Sequence, residues 1–260
     1  MASVTNKSAQ TLRALLQRKG RPLILTNVYD RLSAQAVAEL PQTEALATAS
    51  YAIAQAAGLQ DEALDFETNL AAVRGIAAVA RQYDKPLTVD IQDGYGDKLE
   101  ENAKRLIELG VAGVNLEDAE LGTGNLYSVT TATERIRRLL STAASLGVPD
   151  FVVNARCDVL ALGGDLDVVL DRGRQYLEAG ATTVFVWGGS KRGVSKVEVD
   201  KLVKGFDGRL NVMLKRSPDG LSVKQLADMG VARISVGPAL QFVAMGALKR
   251  EAEAILLEAR

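Results

Sequence analysis

The amino-acid sequence predicts an α/β fold, specifically a TIM (β/α)8 barrel that occupies residues 1–260 as a single domain. The chain alternates eight times between a short apolar, β-branched run and a longer segment with apolar residues at helical spacing. Its 260 residues match the roughly 250 that eight such units occupy. An open, doubly wound sheet is the alternative fold, but no Gly-x-Gly-x-x-Gly sequence follows the first predicted strand.

A degenerate repeat supports this count of strand–helix units. Predicted helices are followed by a glycine, a short spacer and the next apolar strand, a periodic pattern that indicates one repeated supersecondary unit. Glycine is expected at this place because it adopts the left-handed conformation that ends a helix. The glycines of the repeat are Gly110, Gly147, Gly180, Gly208 and Gly230.

The predicted elements begin with a helix at residues 7–19, where Leu12, Leu15 and Leu16 have helical spacing. Eight apolar runs predict the strands Pro22–Thr26, Ala45–Ala49, Pro86–Ile91, Gly113–Leu116, Phe151–Ala155, Thr183–Trp187, Leu210–Leu214 and Arg233–Val236. Amphipathic segments predict the helices Arg31–Leu40, Phe66–Gln82, Lys98–Leu109, Thr130–Ser145, Asp167–Ala179, Lys196–Lys204, Ser222–Met229 and Pro238–Arg260. The small residues 50–58 and the acidic loop with Asp61 and Glu62 are predicted to be irregular.

The composition excludes several classes of protein. A formal net charge of −1 provides no basic field for nucleic acid, and the single cysteine, Cys157, excludes an internal disulfide framework and fits a reducing compartment. No apolar run reaches the roughly 20 residues that cross a bilayer, and residues 1–17 lack the apolar centre of a secretory signal. We therefore expect a cytoplasmic protein that binds neither nucleic acid nor membranes.

The chain contains no histidine. This excludes a Ser-His-Asp triad, a Cys-His pair and histidine-ligated zinc, which together account for much of hydrolase and metalloprotease chemistry. Any acid–base chemistry must therefore use carboxylates, lysine, tyrosine, hydroxyl groups or water.

Charged residues lie at the ends of three consecutive predicted strands. Asp90 is the second-last residue of the third strand, just before a turn that Gly94 and Gly96 permit, and Glu117 and Arg156 directly follow the fourth and fifth strands. If the strands are parallel neighbours, two carboxylates and one guanidinium converge at the end of a barrel where active sites are built. Such a site suits Mg²⁺ and an anionic substrate.

Four segments resemble the phosphoenolpyruvate mutase and isocitrate lyase superfamily, and the resemblance extends over nearly the whole chain. They are LTNVYDRLSA at 25–34, DIQDGYG at 90–96, GVNLED at 113–118 and NARCD at 154–158. The resemblance implies a modified TIM barrel in dimers or tetramers that exchange the last helix between subunits. It also implies a Mg²⁺ cofactor, replaceable by Mn²⁺, and chemistry beside the carbonyl of a small 2-oxo or enol acid.

The resemblance also implies roles around the metal. Asp90 would be the principal ligand, Glu117 would bind the ion through water, and Asp30 would lie near the water shell as one of the catalytic residues. Gln92 would belong to the outer shell, at a position where family members usually have an acid.

The implied substrate-binding residues come from three strand ends. Arg156, a further catalytic residue, would bind the substrate carboxylate, and the backbone at Ala49, Ser50 and Tyr51 would bind substrate oxygens. Tyr51 or a metal-bound water is the candidate for proton transfer. Lys215 is either a second carboxylate anchor or a solvated lysine at the barrel rim.

The loop after the fourth strand differs from that of the family's carbon–carbon lyases, in which a cysteine supplies the proton. Residues 119–128 contain neither cysteine nor histidine, and Trp187 stands where those lyases have glutamate. The leading hypothesis is a Mg²⁺-dependent enzyme that cleaves or forms a carbon–carbon bond of a 2-oxo acid or a di- or tricarboxylate through an enolate, by lyase, decarboxylase or hydrolase chemistry. The alternatives are phosphonomutase-like carbon–phosphorus chemistry and a catalytically silent barrel that binds a keto acid.

Purely structural roles are the alternative for the same side chains. Asp90 and Glu117 would then cap the helices that follow, because acids after parallel strands often accept helix N-terminal amides. Arg156 would be the ion-pair partner of Asp158, and Cys157 is expected to be structural.

Overall fold

Eight parallel strands form a nearly closed ring in the computed structural model, which describes residues 2–258. The strands, β1–β8, are Leu23–Leu25, Leu46–Ala47, Leu87–Asp90, Gly113–Glu117, Val152–Cys157, Thr183–Val186, Leu210–Met213 and Arg233–Ser235. The ten α-helices, α1–α10, are Ala2–Leu16, Arg31–Ala38, Ser50–Ala56, Phe66–Gln82, Leu99–Glu108, Val129–Ser145, Leu166–Glu178, Lys196–Gly205, Val223–Asp228 and Ala239–Leu257. The predicted TIM barrel is therefore confirmed.

The ring closes between β1 and β2 just beyond the ends of both strands. A parallel bridge joins Val28 to Thr48, and β1 pairs on its other side with β8. The Asn27 side chain reinforces this closure, since its Nδ2 donates to the Thr48 carbonyl at 2.7 Å and its Oδ1 accepts from the amides of Val236 and Gly237, each at 3.0 Å. One buried amide therefore connects the loops after β1, β2 and β8 at the same end of the barrel as the predicted site.

The glycine repeat has the predicted geometry. Gly180 has φ +106° and directly follows α7, and its amide donates to Leu177 in the last turn of that helix. This is the left-handed residue that ends a helix. The other glycines of the repeat also have positive φ, namely Gly110, Gly147, Gly208 and Gly230.

The structure differs from the predicted elements chiefly in the first helix and after β2, while the strand boundaries shift by one or two residues. The N-terminal helix begins at Ala2 and ends at Leu16, so it starts five residues earlier than the apolar spacing indicated. The small residues after β2 form the helix α3, where Ser50 and Ile53 are buried. We attribute this difference to the alanine-rich composition, because alanine has the highest helix propensity but provides no apolar periodicity.

The long helix α10 leaves most of its apolar residues in solvent. Within α10 the only residue classed as buried is Gln241, while Phe242, Leu248 and Ile255 are 56%, 62% and 59% exposed. Ile24 of β1, which alternates with buried leucines and therefore faces outward, is also 42% exposed. In the single chain, the outer face of β1 thus has no helix that covers it fully.

Candidate active site

The carboxyl ends of β3, β4 and β5 bring the predicted charged residues together. Glu117 and Arg156 are register partners on adjacent strands, and Arg156 Nη1 donates to Glu117 Oε1 at 2.7 Å. Asp90 lies one strand further along and adds to the charge around both side chains. The predicted convergence of the two acids and the arginine is therefore present in the structure.

Arg156 is fixed on three sides. Its Nε donates to Asp158 Oδ1 at 2.8 Å, Nη1 binds Glu117, and the guanidinium lies 4.1 Å from the centre of the Trp187 ring. Its Nη2 makes no hydrogen bond to any residue from 2 to 258, so one edge of the planar fork keeps free donors. The ion pair with Asp158 fulfils the structural alternative without occupying that edge. Such a pre-oriented edge can bind a carboxylate.

Asp90 is held only by neutral N–H donors. Its Oδ1 accepts from Asn115 Nδ2 at 3.1 Å and from the Gln92 amide at 3.3 Å, and its Oδ2 accepts from the Ser50 amide at 3.2 Å. The Asp90 amide in turn donates to Thr48 Oγ1 at 2.8 Å. The carboxylate is therefore oriented while both oxygens keep lone pairs for a further ligand.

Asp61 is a site residue that the sequence did not identify. Gln92 Nε2 donates to the Asp61 carbonyl at 2.8 Å and to its Oδ1 at 3.3 Å. Burial and then the charge of Asp90 raise the pKa of Asp61 to about 6, against the opposing effects of the Ser50 hydroxyl and Arg156. The available signal was an acid in the loop after the second strand, at the active-site end of the barrel.

The site contains more acids than the guanidinium of Arg156 can neutralise. Burial raises the pKa of Glu117 well above its usual range; Asp158, Asp90 and Asp61 add to this shift, and Arg156 opposes it. The Asp158 pKa is also raised, chiefly by burial. A cation in this cluster would relieve the repulsion, so the electrostatics favour a bound metal ion.

The donor set fits Mg²⁺. Among residues 2–258, no three acidic or cysteine side chains are close enough to enclose an ion by themselves. Mg²⁺ does not need such a cage, because it usually takes one or two carboxylates and keeps several waters. Asp90 can supply one carboxylate, and the buried Gln92 Oε1 has no hydrogen-bond partner among residues 2–258. These two side chains would hold the ion, with Glu117 as the predicted ligand through water.

The backbone beside Asp90 is strained. Gln92 has φ +49° and Tyr95 has φ +62°, values that non-glycine residues rarely adopt. Side-chain contacts stabilise the turn, since Asn69 Nδ2 donates to the Asp90 carbonyl at 2.9 Å and to the Tyr95 hydroxyl at 2.7 Å. Strain of this kind persists where surrounding contacts determine the conformation, and here it fixes the direction of Gln92.

The other predicted site residues lie around this centre with separate contacts. Asp30 caps α2, since its Oδ1 accepts from the Ser33 amide at 2.7 Å. The Tyr51 ring packs edge-on against Phe242 of α10, with 6.0 Å between centroids. Lys215 Nζ pairs with Asp219 at 2.8 Å.

One of the predicted backbone positions, Ser50, contacts Asp90 directly. Ala49 is the N-cap residue of α3 and carries no side-chain cap, while Ser50 donates its amide to Asp90. The predicted roles of Asp30, Ala49, Ser50, Tyr51 and Lys215 stay predictions.

A second buried carboxylate fastens the loop at 119–128. Asp93 Oδ2 accepts from the Tyr127 hydroxyl at 2.8 Å and from the Leu121 amide at 3.2 Å, and its Oδ1 accepts from the Tyr95 amide at 2.9 Å. The loop is thereby connected to the turn that carries Asp90 and Gln92. Movement of this loop requires that the Asp93 contacts break.

A buried arginine lies below the site. Arg233 of β8 donates through Nε to Ser235 Oγ at 3.3 Å, and its buried Nη1 has no partner among residues 2–258. Burial lowers the pKa of Arg233 to about 10, with attraction to Asp90 as the opposing effect. The guanidinium stays charged at neutral pH and partly balances the acids above it.

These features define a class of protein: a TIM barrel with a carboxylate-rich site and one pre-oriented arginine at the carboxyl ends of β3–β5. The family model described as phosphoenolpyruvate phosphomutase matches residues 12–256, and the chain belongs to that family. The sequence-based identification of the superfamily is therefore confirmed.

Three relatives show the range of this similarity. A provisionally assigned phosphonomutase from Burkholderia cenocepacia J2315 is 34% identical, with a TM-score of 0.85 over 96% of this chain and 99% of that structure. Phosphoenolpyruvate phosphomutase of Streptomyces hygroscopicus is 30% identical over 237 residues, 88% of this chain and 74% of the relative. The 2-methylisocitrate lyase of Escherichia coli strain K12 is 33% identical over 107 residues, 38% of this chain and 36% of the relative. The chain is thus similar to lyases and phosphomutases.

No helix among residues 2–258 has the length and apolar character needed to cross a bilayer.

Proposed function

We propose that this protein is a Mg²⁺-dependent enzyme that cleaves or forms a carbon–carbon bond in a small 2-oxo acid or a di- or tricarboxylate. The observation that carries the proposal is the arrangement of Arg156 between Glu117 and Asp158, with a free Nη2 edge beside the acids around Asp90. A cation-binding cluster next to a carboxylate-binding fork suits a ligand that has a carboxylate and an adjacent carbonyl oxygen.

The residues of the chain have distinct roles in this proposal. Arg156 binds the substrate carboxylate and orients it, while Trp187 and Asp158 keep the guanidinium in place. Asp90 and Gln92 would hold the metal, with Glu117 bound to it through water, and the metal would supply Lewis-acid stabilisation of an enolate of the substrate. Such stabilisation would lower the demand on a basic side chain, which is consistent with a chain that lacks histidine.

Carbon–phosphorus chemistry is the second candidate function. It is favoured by the similarity to the Streptomyces hygroscopicus phosphomutase over 237 residues. In this alternative the same acids and Arg156 bind a phosphonopyruvate-like ligand, and residues of the loop contact the phosphoryl group. A keto-acid-binding barrel without catalytic activity is the remaining alternative.

Turnover assays with a defined panel test the proposal. Purified protein with Mg²⁺ is incubated with oxaloacetate, isocitrate, 2-methylisocitrate, 2-oxoglutarate and phosphoenolpyruvate, and products are followed by NMR. Turnover of a carbon–carbon substrate that stops on Arg156→Met or Asp90→Asn supports the proposal. Phosphonopyruvate formed from phosphoenolpyruvate would support the second function, and binding without turnover would leave the inactive barrel.

The assembly belongs to the same proposal. The exposed apolar residues of α10 and the partly uncovered Ile24 support a homodimer or homotetramer in which subunits exchange α10. In such an assembly a helix from another subunit would cover the outer face of β1. The cytoplasmic location stays a prediction.

A further inference from the structure

A row of polar side chains runs along four adjacent strands of the barrel, β3–β6, at the level of Asp90. Asp90 of β3 is the register partner of Asn115 on β4, Asn115 pairs with Asn154 on β5, and Asn154 pairs with Thr183 on β6. Asn115, Asn154 and Thr183 are 5%, 0% and 1% exposed. Polar residues at this level of a barrel replace the branched apolar residues that usually fill such layers.

Hydrogen bonds join these four residues in one direction. The Thr183 hydroxyl donates to Asn154 Oδ1 at 2.6 Å, Asn154 Nδ2 donates to Asn115 Oδ1 at 2.8 Å, and Asn115 Nδ2 donates to Asp90 Oδ1 at 3.1 Å. Every donor in the row therefore points toward the carboxylate.

The charge of Asp90 fixes this direction. An ionised carboxylate only accepts hydrogen bonds, so Asn115 must present its NH₂ group to Asp90 and its oxygen to the next residue. Asn154 must then donate to that oxygen, and its own oxygen must accept from Thr183. Aligned hydrogen bonds polarise one another, so a donor at the far end affects the acceptor strength at the near end.

We propose that Thr183 and Asn154 are positioning residues that act on Asp90 through Asn115. The proposal rests on the proposed function in one respect, namely that Asp90 is the metal-binding carboxylate. The row orients the carboxylate through Oδ1, and Oδ2 accepts a single backbone hydrogen bond from Ser50. The partners of a ligating carboxylate contribute to metal affinity in this way.

Removal of the Thr183 hydroxyl should remove the first donor of the row, at the end opposite Asp90. In Thr183→Val the side-chain shape is kept, but Asn154 Oδ1 loses its donor inside the barrel. The amide group of Asn154 can then rotate. In the molecules in which it has rotated, Asn154 no longer donates to Asn115. Asn115 is in turn less firmly held toward Asp90.

The metal-free protein tests the row without any assumption about function. In ¹⁵N-asparagine-labelled protein, Thr183→Val should shift the side-chain amide signals of both Asn154 and Asn115 and accelerate their hydrogen exchange. Thr183→Ser, which keeps the hydroxyl, should restore the wild-type signals. Thr182→Val is the matched control. Thr182 precedes Thr183 in the chain, and its buried Oγ1 has no hydrogen-bond partner among residues 2–258. Unchanged Asn115 signals in Thr183→Val would overturn the proposal.

Metal affinity tests the consequence of the row for the site. Mn²⁺ binding measured by electron paramagnetic resonance should weaken about 3- to 10-fold in Thr183→Val, and not in Thr183→Ser or Thr182→Val. Equal affinity in Thr183→Val and wild type would contradict a positioning role. If wild-type protein binds no Mn²⁺, the proposed function fails, and the Asn115 signals alone decide whether the row exists.

Discussion

Asp61 is a partly buried acid whose ionisation opposes folding. Burial and Asp90 raise its pKa from 3.8 to about 6, so the folded state binds its proton more tightly than the unfolded chain does. The contribution of Asp61 to stability is therefore complete at pH values below its pKa in the unfolded chain and is lost as pH rises through its pKa in the folded protein. The structure retains this unfavourable carboxylate beside Gln92 and Asp90, which is consistent with a role in cation binding rather than in stability.

Replacement of Asp61 by asparagine should therefore stabilise the metal-free protein in a pH-dependent way. We expect the free energy of unfolding of Asp61→Asn to exceed that of wild type by about 1–3 kcal/mol above pH 6 and by little at pH 4. Urea denaturation at both pH values measures this difference. Asp200→Asn, on the exposed surface of α8, serves as the control. An equal gain at pH 4 and pH 7.5 would contradict the burial argument.

Arg156 should be replaceable by lysine only with a loss of ligand affinity. Lysine keeps the charge but cannot bind Glu117 and Asp158 while presenting a free planar edge. We expect Arg156→Lys to weaken carboxylate binding about 10- to 100-fold, the range of a lost charged hydrogen bond. Isothermal titration calorimetry with oxalate and Mg²⁺ measures the affinity.

Arg192→Lys is the matched control for this measurement. Arg192 forms an exposed ion pair with Glu198 on the loop after β6. Its substitution should leave oxalate affinity unchanged. A similar loss in both variants would indicate a general electrostatic effect and not a specific contact.

At the residue scale, the sequence was sufficient where a residue ends a strand in the regular pattern. Asp90, Glu117 and Arg156 were identified because strand ends in a barrel share one edge. Asp61 was missed because its loop has no periodicity, and Arg233 because it lies at the start of a strand. The pairing of Arg156 with both Glu117 and Asp158 needs side-chain coordinates.

The loop at 119–128 is the element whose contacts bear most directly on access to the site. Its attachment depends on Asp93, a carboxylate that is 2% exposed and accepts from Tyr127 and Leu121. The Tyr127 ring also lies 4.8 Å from the Arg135 guanidinium, a contact that phenylalanine can keep. The hydroxyl and the ring can therefore be tested separately.

Tyr127→Phe should loosen this loop without unfolding the barrel. Loss of a hydrogen bond to a buried carboxylate should raise amide hydrogen-exchange rates in residues 119–128 about tenfold. Hydrogen–deuterium exchange followed by mass spectrometry measures these rates. Tyr83→Phe, which removes a hydroxyl bonded to Glu39 on the surface, is the control. Unchanged exchange in the loop of Tyr127→Phe would show that Asp93 does not hold it.

At the element scale, alternation predicted which elements exist more reliably than where they end. Eight strands and their following helices were recovered because each has its own apolar period. The helix α3 was missed because its alanines supply helix propensity without a hydrophobic stripe. At several strands the predicted end lies beyond the observed end, because backbone pairing stops where the polar loops begin.

At the scale of the whole molecule, the main exposed apolar surface lies on the C-terminal helix α10. Large apolar side chains of α10 lie in solvent, and Ile24 on the outside of the barrel is partly uncovered. Burial of this apolar surface in an oligomer would remove several large side chains from water. We therefore predict an oligomer whose mass exceeds that of the 27.7 kDa subunit.

Charges in α10 should dissociate that particle. We expect wild-type protein to form a dimer or tetramer, and the double variant Leu248→Glu with Ile255→Glu to have a lower mass or lower stability. Size-exclusion chromatography with light scattering measures the mass. Lys249→Glu, at a neighbouring exposed position, is the control. A monomeric wild-type protein at micromolar concentration would contradict the assembly.

At the scale of the whole molecule, the sequence predicted the barrel and the family because repeats and motifs extend along most of the chain. It could not select the reaction, since selectivity depends on the geometry of loops such as residues 119–128 and of rim positions such as Trp187. Those positions have no periodic pattern, and their chemistry depends on which ligand atoms they contact.

The most direct test of the account is the binding of oxalate with and without Mg²⁺. Oxalate is a planar dicarboxylate that resembles the enolate of a 2-oxo acid, so calorimetry should detect binding only when the cation is present. Asp90→Asn should abolish this binding and Asp200→Asn should preserve it. Oxalate binding that does not depend on Mg²⁺, or that persists in Asp90→Asn, would contradict the proposed metal and carboxylate site.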